Sequence, residues 1–148
     1  MTQNVFTYGS LMFAQVWQRV VAARYRSSPA ALAGYRRFAL VDDTYPGMIE
    51  AATGAHAGNV TGVLYFDVND ADLRALDDFE GSDYERRTVQ VMAPAAGLLT
   101  AQTYVFLLPG RLAAHDWDPA AFRLERFLGT YCRDRPDDAV QPVPDQPV

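Results

Sequence analysis

A chain of 148 residues with 49% hydrophobic content is long enough for one domain with its own core and too short to expect two. Its net charge of −5 argues against a nucleic-acid or anionic-membrane footprint and favours a small partner, and the absence of lysine excludes Schiff-base chemistry and a phosphate-cradling P-loop lysine. The single cysteine, Cys132, has no partner for an internal disulfide, and His56 and His115 have no second ligand at metal spacing, so no metal site is expected.

In chain order, residues 4–8 read as a strand that runs into a turn at Gly9-Ser10. The apolar spacing of Met12, Val16 and Val20 then predicts a helix over 12–21. Residues 35–41 form a second expected strand, followed by a turn at Tyr45-Pro46-Gly47, which is either a plain connection or part of a pocket rim. Residues 60–67 are apolar on both parities, as in a strand buried on both faces. Asn69 is a good helix N-cap and Gly81 a good terminator, so a helix is predicted from about Asp70 to Glu80. Strands over 86–92 and 102–108 follow, with Tyr65, Tyr104 and Phe106 expected in the core.

Asp118 and Pro119 read as the start of a last helix, with Leu124, Phe127, Leu128 and Tyr131 on one face and Trp117 stapling it. Beyond it the chain contains four prolines, so residues 1–132 are expected to form the domain and 133–148 a disordered tail. Strands outnumber helices without steady alternation, which points to an α+β domain with a curved, barrel-like sheet. With no basic leader and no run of about 18 apolar residues, neither secretion nor membrane spanning has a signal, and the cytoplasm is the expected location.

Glu80 breaks the helix pattern twice. At 100° per residue it falls about 340° from Leu73, between the leucines of the apolar stripe, and it sits in the last turn, where the macrodipole disfavours negative charge. Asp77 and Asp78 are expected to fall away toward water. Burial and the helix terminus both push the Glu80 carboxyl toward neutrality, as suits a general acid/base, whereas a bridge to Arg86 or Arg87 would make it merely structural. Tyr8-Gly9-Ser10-Leu11, between strand and helix, is the second candidate. Unpaired amides beside a glycine suit a carboxylate, although the same four residues also suit an ordinary turn.

Together, YGSL at 8–11, GYRRFAL at 34–40 with TYPGMI after it, VTGVLYFDV at 60–68 and LDDFEGSDYERRTVQV at 76–91 resemble the gamma-glutamylcyclotransferase-like family, in the expected order over about residues 4–110. The resemblance implies a small mixed β-barrel flanked by helices. It also implies a cofactor-independent enzyme in which the α-amine of a gamma-glutamyl compound attacks the γ-carbonyl, giving 5-oxoproline and a free amine or amino acid. Carried over by position, Glu80 is the catalytic acid/base, Tyr8, Gly9, Ser10 and Leu11 hold the glutamyl group, and Tyr84 and Arg86 border the pocket or support it from behind. A non-catalytic module that binds a glutamyl metabolite is the alternative, and the inward Glu80 argues against it. Glycoside hydrolysis by a carboxylate pair would need a second inward acid, which Asp77, Asp78 and Asp83 are not expected to supply.

Overall fold

The computed structural model describes residues 2–41, 45–51, 58–94 and 96–118. Five strands close into a barrel: β1 (Gln3–Thr7), β5 (Asn59–Val68), β2 (Ser27–Ala33), β6 (Tyr84–Ala93) and β7 (Gly97–Phe106), in that order around the wall. Neighbours run antiparallel except where β1 meets β7 in parallel, at Val5 opposite Gln102, so the expected mixed barrel is observed. A smaller sheet of β4 (Pro46–Glu50), β3 (Tyr35–Leu40) and β8 (Leu112–Asp116) flanks it, together with helices α1 (Ala14–Val20) and α2 (Asp70–Glu80).

The alternation of strand side chains divides the core in two. Phe6, Leu32, Leu64, Val91 and Ala101, one or more from each barrel strand, meet inside with Met48 from β4. On the other parity, Val5, Tyr65 and Tyr104, joined past a register shift between β1 and β5 by Val68, pack beneath Val16 and Trp17 of α1 and Leu73 and Leu76 of α2. Trp17 lies flat on Tyr65, with ring centroids 3.6 Å apart. Two glycines set the barrel's geometry. Gly34 turns β2 into β3 with φ at 87°, in the left-handed region, and a Cβ on Gly62 would stand 2.0 Å from the Thr7 carbonyl oxygen, so β1 and β5 can approach this closely only at a glycine.

Helix α2 has the predicted ends. The Asn69 side chain accepts from the Asp72 N–H at 2.8 Å, and Gly81, with φ at 78°, donates its N–H to the Asp77 carbonyl at 3.0 Å. Three features differ from the sequence reading. The predicted 12–21 helix begins as a 3₁₀ turn at Ser10–Met12, and α1 starts only after extended Phe13. Pro46 and Gly47 open strand β4 instead of forming a turn, which a proline tolerates at the first residue of an edge strand. Strands β2 and β8, unpredicted because Ser-Ser-Pro and short polar stretches read as loop, are held by pairing, β2 with β5 over seven residue pairs. The last helix, the tail, His56 and Cys132 lie outside the described residues, while Trp117 is buried under the Arg37 guanidinium, 5.2 Å from its ring centre. Among the described residues no helix is long and apolar enough to cross a membrane.

Asp72 joins the two helices. It is 5% exposed and accepts from the Ala22 N–H (2.9 Å), the Ala23 N–H (3.0 Å) and the Tyr25 hydroxyl (2.6 Å). Burial opposes its ionisation, but these three donors outweigh it and hold the carboxyl below its ordinary pKa. Asp72→Ala strands all three donors and is expected to cost about 3 kcal/mol at neutral pH, measured by urea unfolding. Because the folded-state pKa is depressed, that difference should persist above the ordinary carboxylate range and fade as pH falls through it.

Candidate functional site

Where β1 ends, the chain turns over the barrel mouth. The Met12 and Phe13 amides bond back to the Gly9 and Ser10 carbonyls (2.9 and 3.1 Å), so the amides of Gly9, Ser10 and Leu11 have no backbone acceptor among the described residues. Arg37 fixes the loop from behind by donating to the Tyr8 carbonyl at 2.7 Å, and the Tyr8 hydroxyl donates to the Tyr104 carbonyl at 2.6 Å. Gly9 is required by close approach: a Cβ there would lie 2.8 Å from the Pro46 ring.

These residues form one wall of a cavity of about 150 Å³. Tyr8, Gly9, Ser10 and Leu11 face it from the loop, Glu80 and Phe79 from the end of α2, and Tyr84 from β6. Of the candidate residues named from sequence, the structure therefore brings together six: the four loop residues, Glu80 and Tyr84. Arg86 lies outside, in a neighbouring polar recess that shares Tyr84 and Tyr104 with the main cavity. There it donates to Asp77 at 2.9 Å and to Gln102 at 3.1 Å.

Glu80 makes no hydrogen bond or ion pair among the described residues, because Arg86 pairs with Asp77 and Arg87 with Glu85. The bridging role that sequence left open to Glu80 is thus taken by other acids. Burial pushes the Glu80 carboxyl from 4.5 up to about 8. Desolvation is the cause: Glu80 is half-buried, and the part of it that faces the cavity is surrounded by protein rather than by bulk water, which disfavours its charged form. Burial also keeps Tyr8 and Tyr104 well above the ordinary phenol range, with the nearby Glu80 adding to the shift in both.

The sequence reading missed several wall residues. Tyr104, expected only in the core, is buried and also lines the cavity; Tyr45 and Pro46, left open as a plain connection or a pocket rim, line it as well, and the Tyr84 hydroxyl donates to the Pro46 carbonyl at 2.7 Å. Asp83, expected in a turn, also lines it and pairs with Arg111 at 3.2 Å. Asp77 does not fall away toward water: its carboxylate accepts from the Tyr104 hydroxyl at 2.7 Å as well as from Arg86. The signal was available in the periodicity, since Asp77 lies only about 40° from Leu73, on the margin of the apolar stripe. Nothing local marks Tyr104, which reaches the cavity through strand register.

The family model described as gamma-glutamyl cyclotransferase, AIG2-like matches residues 5–119. Protein AIG2 C of Arabidopsis thaliana is 31% identical over 135 residues, covering 88% of this chain and 79% of that protein. A protein from Arabidopsis thaliana solved in solution superposes with a TM-score of 0.68 at 28% identity, over 100% of this chain and 96% of its own. A structure of a gamma-glutamyl cyclotransferase shares the fold, with a TM-score of 0.59 at 18% identity, over 72% of this chain and 67% of its own.

A carboxyl with a folded-state pKa above its unfolded value binds more protons when folded, so its contribution to stability declines as pH rises between the two values. Glu80→Gln should therefore gain on the wild type in thermal unfolding as pH climbs from about 5 to about 8. The difference should level off above that, on the order of 5 kcal/mol. A difference that does not change with pH would mean that Glu80 titrates normally.

Proposed function

The chain belongs to the gamma-glutamyl cyclotransferase, AIG2-like family, and from this premise we propose that it is an enzyme that cyclises a gamma-glutamyl compound to 5-oxoproline and releases the attached amine or amino acid. The observation that carries the proposal is the Glu80 carboxyl, unpartnered among the described residues and raised to about 8, sharing one cavity with a loop whose amides have no backbone acceptor among the described residues.

The loop supplies the binding. No arginine lines the cavity among the described residues, so the substrate α-carboxylate would be held by the amides of Gly9, Ser10 and Leu11. A carboxyl that is mostly neutral near pH 7 does not repel that anion, as an ordinary glutamate would. The cavity is small, which suits a folded glutamyl chain whose amine and γ-carbonyl carbon must come within about 3 to 3.5 Å for ring closure.

In the reaction, the α-amine nitrogen attacks the γ-carbonyl carbon and passes a proton to the Glu80 carboxylate. Collapse of the tetrahedral intermediate breaks the original amide bond, and Glu80 returns the proton to the departing nitrogen. Atoms and charge balance without water or a cofactor. A loop amide close to the γ-carbonyl would stabilise the developing oxyanion.

The test is 5-oxoproline release from a panel of gamma-glutamyl amino acids and gamma-glutamyl amines. Wild type should turn over at least one member, with kcat/KM rising with pH through about 8 as Glu80 loses its proton. Glu80→Gln should bind substrate yet lose roughly 10²- to 10⁴-fold in kcat. Binding without release by the folded wild type would instead identify a module that holds a glutamyl metabolite.

A further inference from the structure

Asp77 occupies a position that helix energetics disfavour. It lies in the last turn of α2, where the exposed carbonyls repel a carboxylate, and its side chain is only about one-third exposed, at 36%. Two donors compensate, and both bond the same oxygen, Oδ1: the Tyr104 hydroxyl from β7 at 2.7 Å and Arg86 Nε from β6 at 2.9 Å. The Asp77 main-chain carbonyl meanwhile accepts the Gly81 N–H that terminates the helix. One residue therefore fastens the end of α2 to two barrel strands, one helical turn before Glu80.

Tyr104 extends the connection. Its hydroxyl donates to Asp77, while its own carbonyl receives the Tyr8 hydroxyl at 2.6 Å. The loop with the free amides and the helix turn that carries Glu80 are thus held to the same residue of β7. Gln102 completes the outer side, accepting from Arg86 at 3.1 Å and donating to Thr88 at 2.9 Å.

The geometry points to Asp77 as a positioning residue: its bonds to Tyr104 and Arg86 hold the last turn of α2 against the barrel so that the Glu80 carboxyl stays inside the cavity, opposite the loop amides. The inference rests on the reading of Glu80 as the acid/base. Without these bonds the turn frays, the half-buried carboxyl swings further into water, and the distance from carboxyl to loop is no longer fixed. Around Glu80 the other titratable groups lining the cavity are Tyr8, Tyr45, Asp83, Tyr84 and Tyr104, and Arg86 stands behind Asp77, so any shift on mutation must be separated from simple loss of charge.

Three variants make that separation. Asp77→Asn removes the charge but keeps an oxygen that accepts from both donors, Asp77→Ala removes charge and acceptor, and Tyr104→Phe removes one donor and leaves every charge in place. The first readout is the titration midpoint of Glu80, followed by NMR on carboxyl-labelled protein, which needs no substrate. Asp77→Ala and Tyr104→Phe should lower the midpoint toward the ordinary carboxylate range, while Asp77→Asn stays near the wild-type value. The second readout is turnover of whichever gamma-glutamyl compound the wild type accepts: Asp77→Ala should lose on the order of tenfold to a hundredfold in kcat with little change in KM, and Asp77→Asn should recover most of it.

Equal shifts in Asp77→Asn and Asp77→Ala would assign the effect to charge and overturn the inference, as would a folded Asp77→Ala with the wild-type midpoint. If Asp77→Ala fails to fold, Tyr104→Phe decides: a lowered midpoint supports positioning and an unchanged one refutes it. Should the wild type release 5-oxoproline from nothing in the panel, the functional reading fails, and the midpoints still decide what Asp77 does.

Discussion

The site depends on holding a short helix rigidly at both ends. At the start of α2, Asp72 is buried against the Ala22 and Ala23 amides and the Tyr25 hydroxyl, and that hydroxyl in turn accepts the Asn69 N–H at 3.2 Å. At the other end Asp77 is tied to the barrel wall. Between them Leu73 and Leu76 are packed over Val5, Val68 and Tyr104. A helix of 11 residues is marginal in isolation, so this fastening rather than intrinsic propensity keeps its last turn formed. Only with the turn formed can Glu80 remain in a place that disfavours its charge. The desolvation that raises its pKa is a local cost that the rest of the helix offsets.

The opposite wall depends on close backbone approach. Gly62 lets β1 and β5 come together at Thr7, and the loop therefore leaves the barrel directly over its mouth. Gly9 accommodates the Pro46 ring, and Gly47 accommodates the Phe106 ring, 2.8 Å from where a Cβ would stand. The edge strand β4 is thus pressed against both the loop and β7. Arg37 crosses behind this junction, its guanidinium bonded to the Tyr8 and Thr61 carbonyls, and burial lowers its pKa without removing its charge. Loop position is set by these contacts and not by the four-residue loop sequence itself.

That division explains what was legible in the sequence. Helix α2 was readable to its ends because Asn69 and Gly81 each act within a few residues, and the inward face of Glu80 followed from periodicity alone. Strand β5 was readable because a run such as VTGVLYFDV is apolar on both parities. The motif resemblance led to the barrel, an architecture that strand counting only suggested. Residues whose role depends on register across the barrel were not legible: Tyr104 reaches the cavity because β7 lies beside β1, and β2 exists as a strand because β5 pairs with it, whereas the rim reading of Tyr45-Pro46 was open from the turn itself and β4 packing under Gly9 places it there. Asp77 was misread for a different reason. Its angle placed it beside the apolar stripe, but its charge suggested water, and the two donors that make an inward carboxylate tolerable lie on strands distant in sequence.

The arrangement of hydroxyls around the cavity narrows the chemistry further. Tyr8 donates to the Tyr104 carbonyl, Tyr84 to the Pro46 carbonyl, Tyr104 to the Asp77 carboxylate and Thr7 to the Val63 carbonyl at 2.8 Å. Each of these protons is engaged in holding the walls together, and burial pushes the Tyr8 and Tyr104 hydroxyls still further above the ordinary phenol range. The second acid, Asp83, is engaged with Arg111. Glu80 differs from all of them: it titrates near 8, faces the cavity and makes no hydrogen bond or ion pair among the described residues. In the proposed reaction a proton arriving from an amine would find these groups already engaged, with Glu80 left to accept and return it. Those fixed hydroxyls would keep the walls in place during that proposed exchange, so structural and chemical duties would fall on different residues.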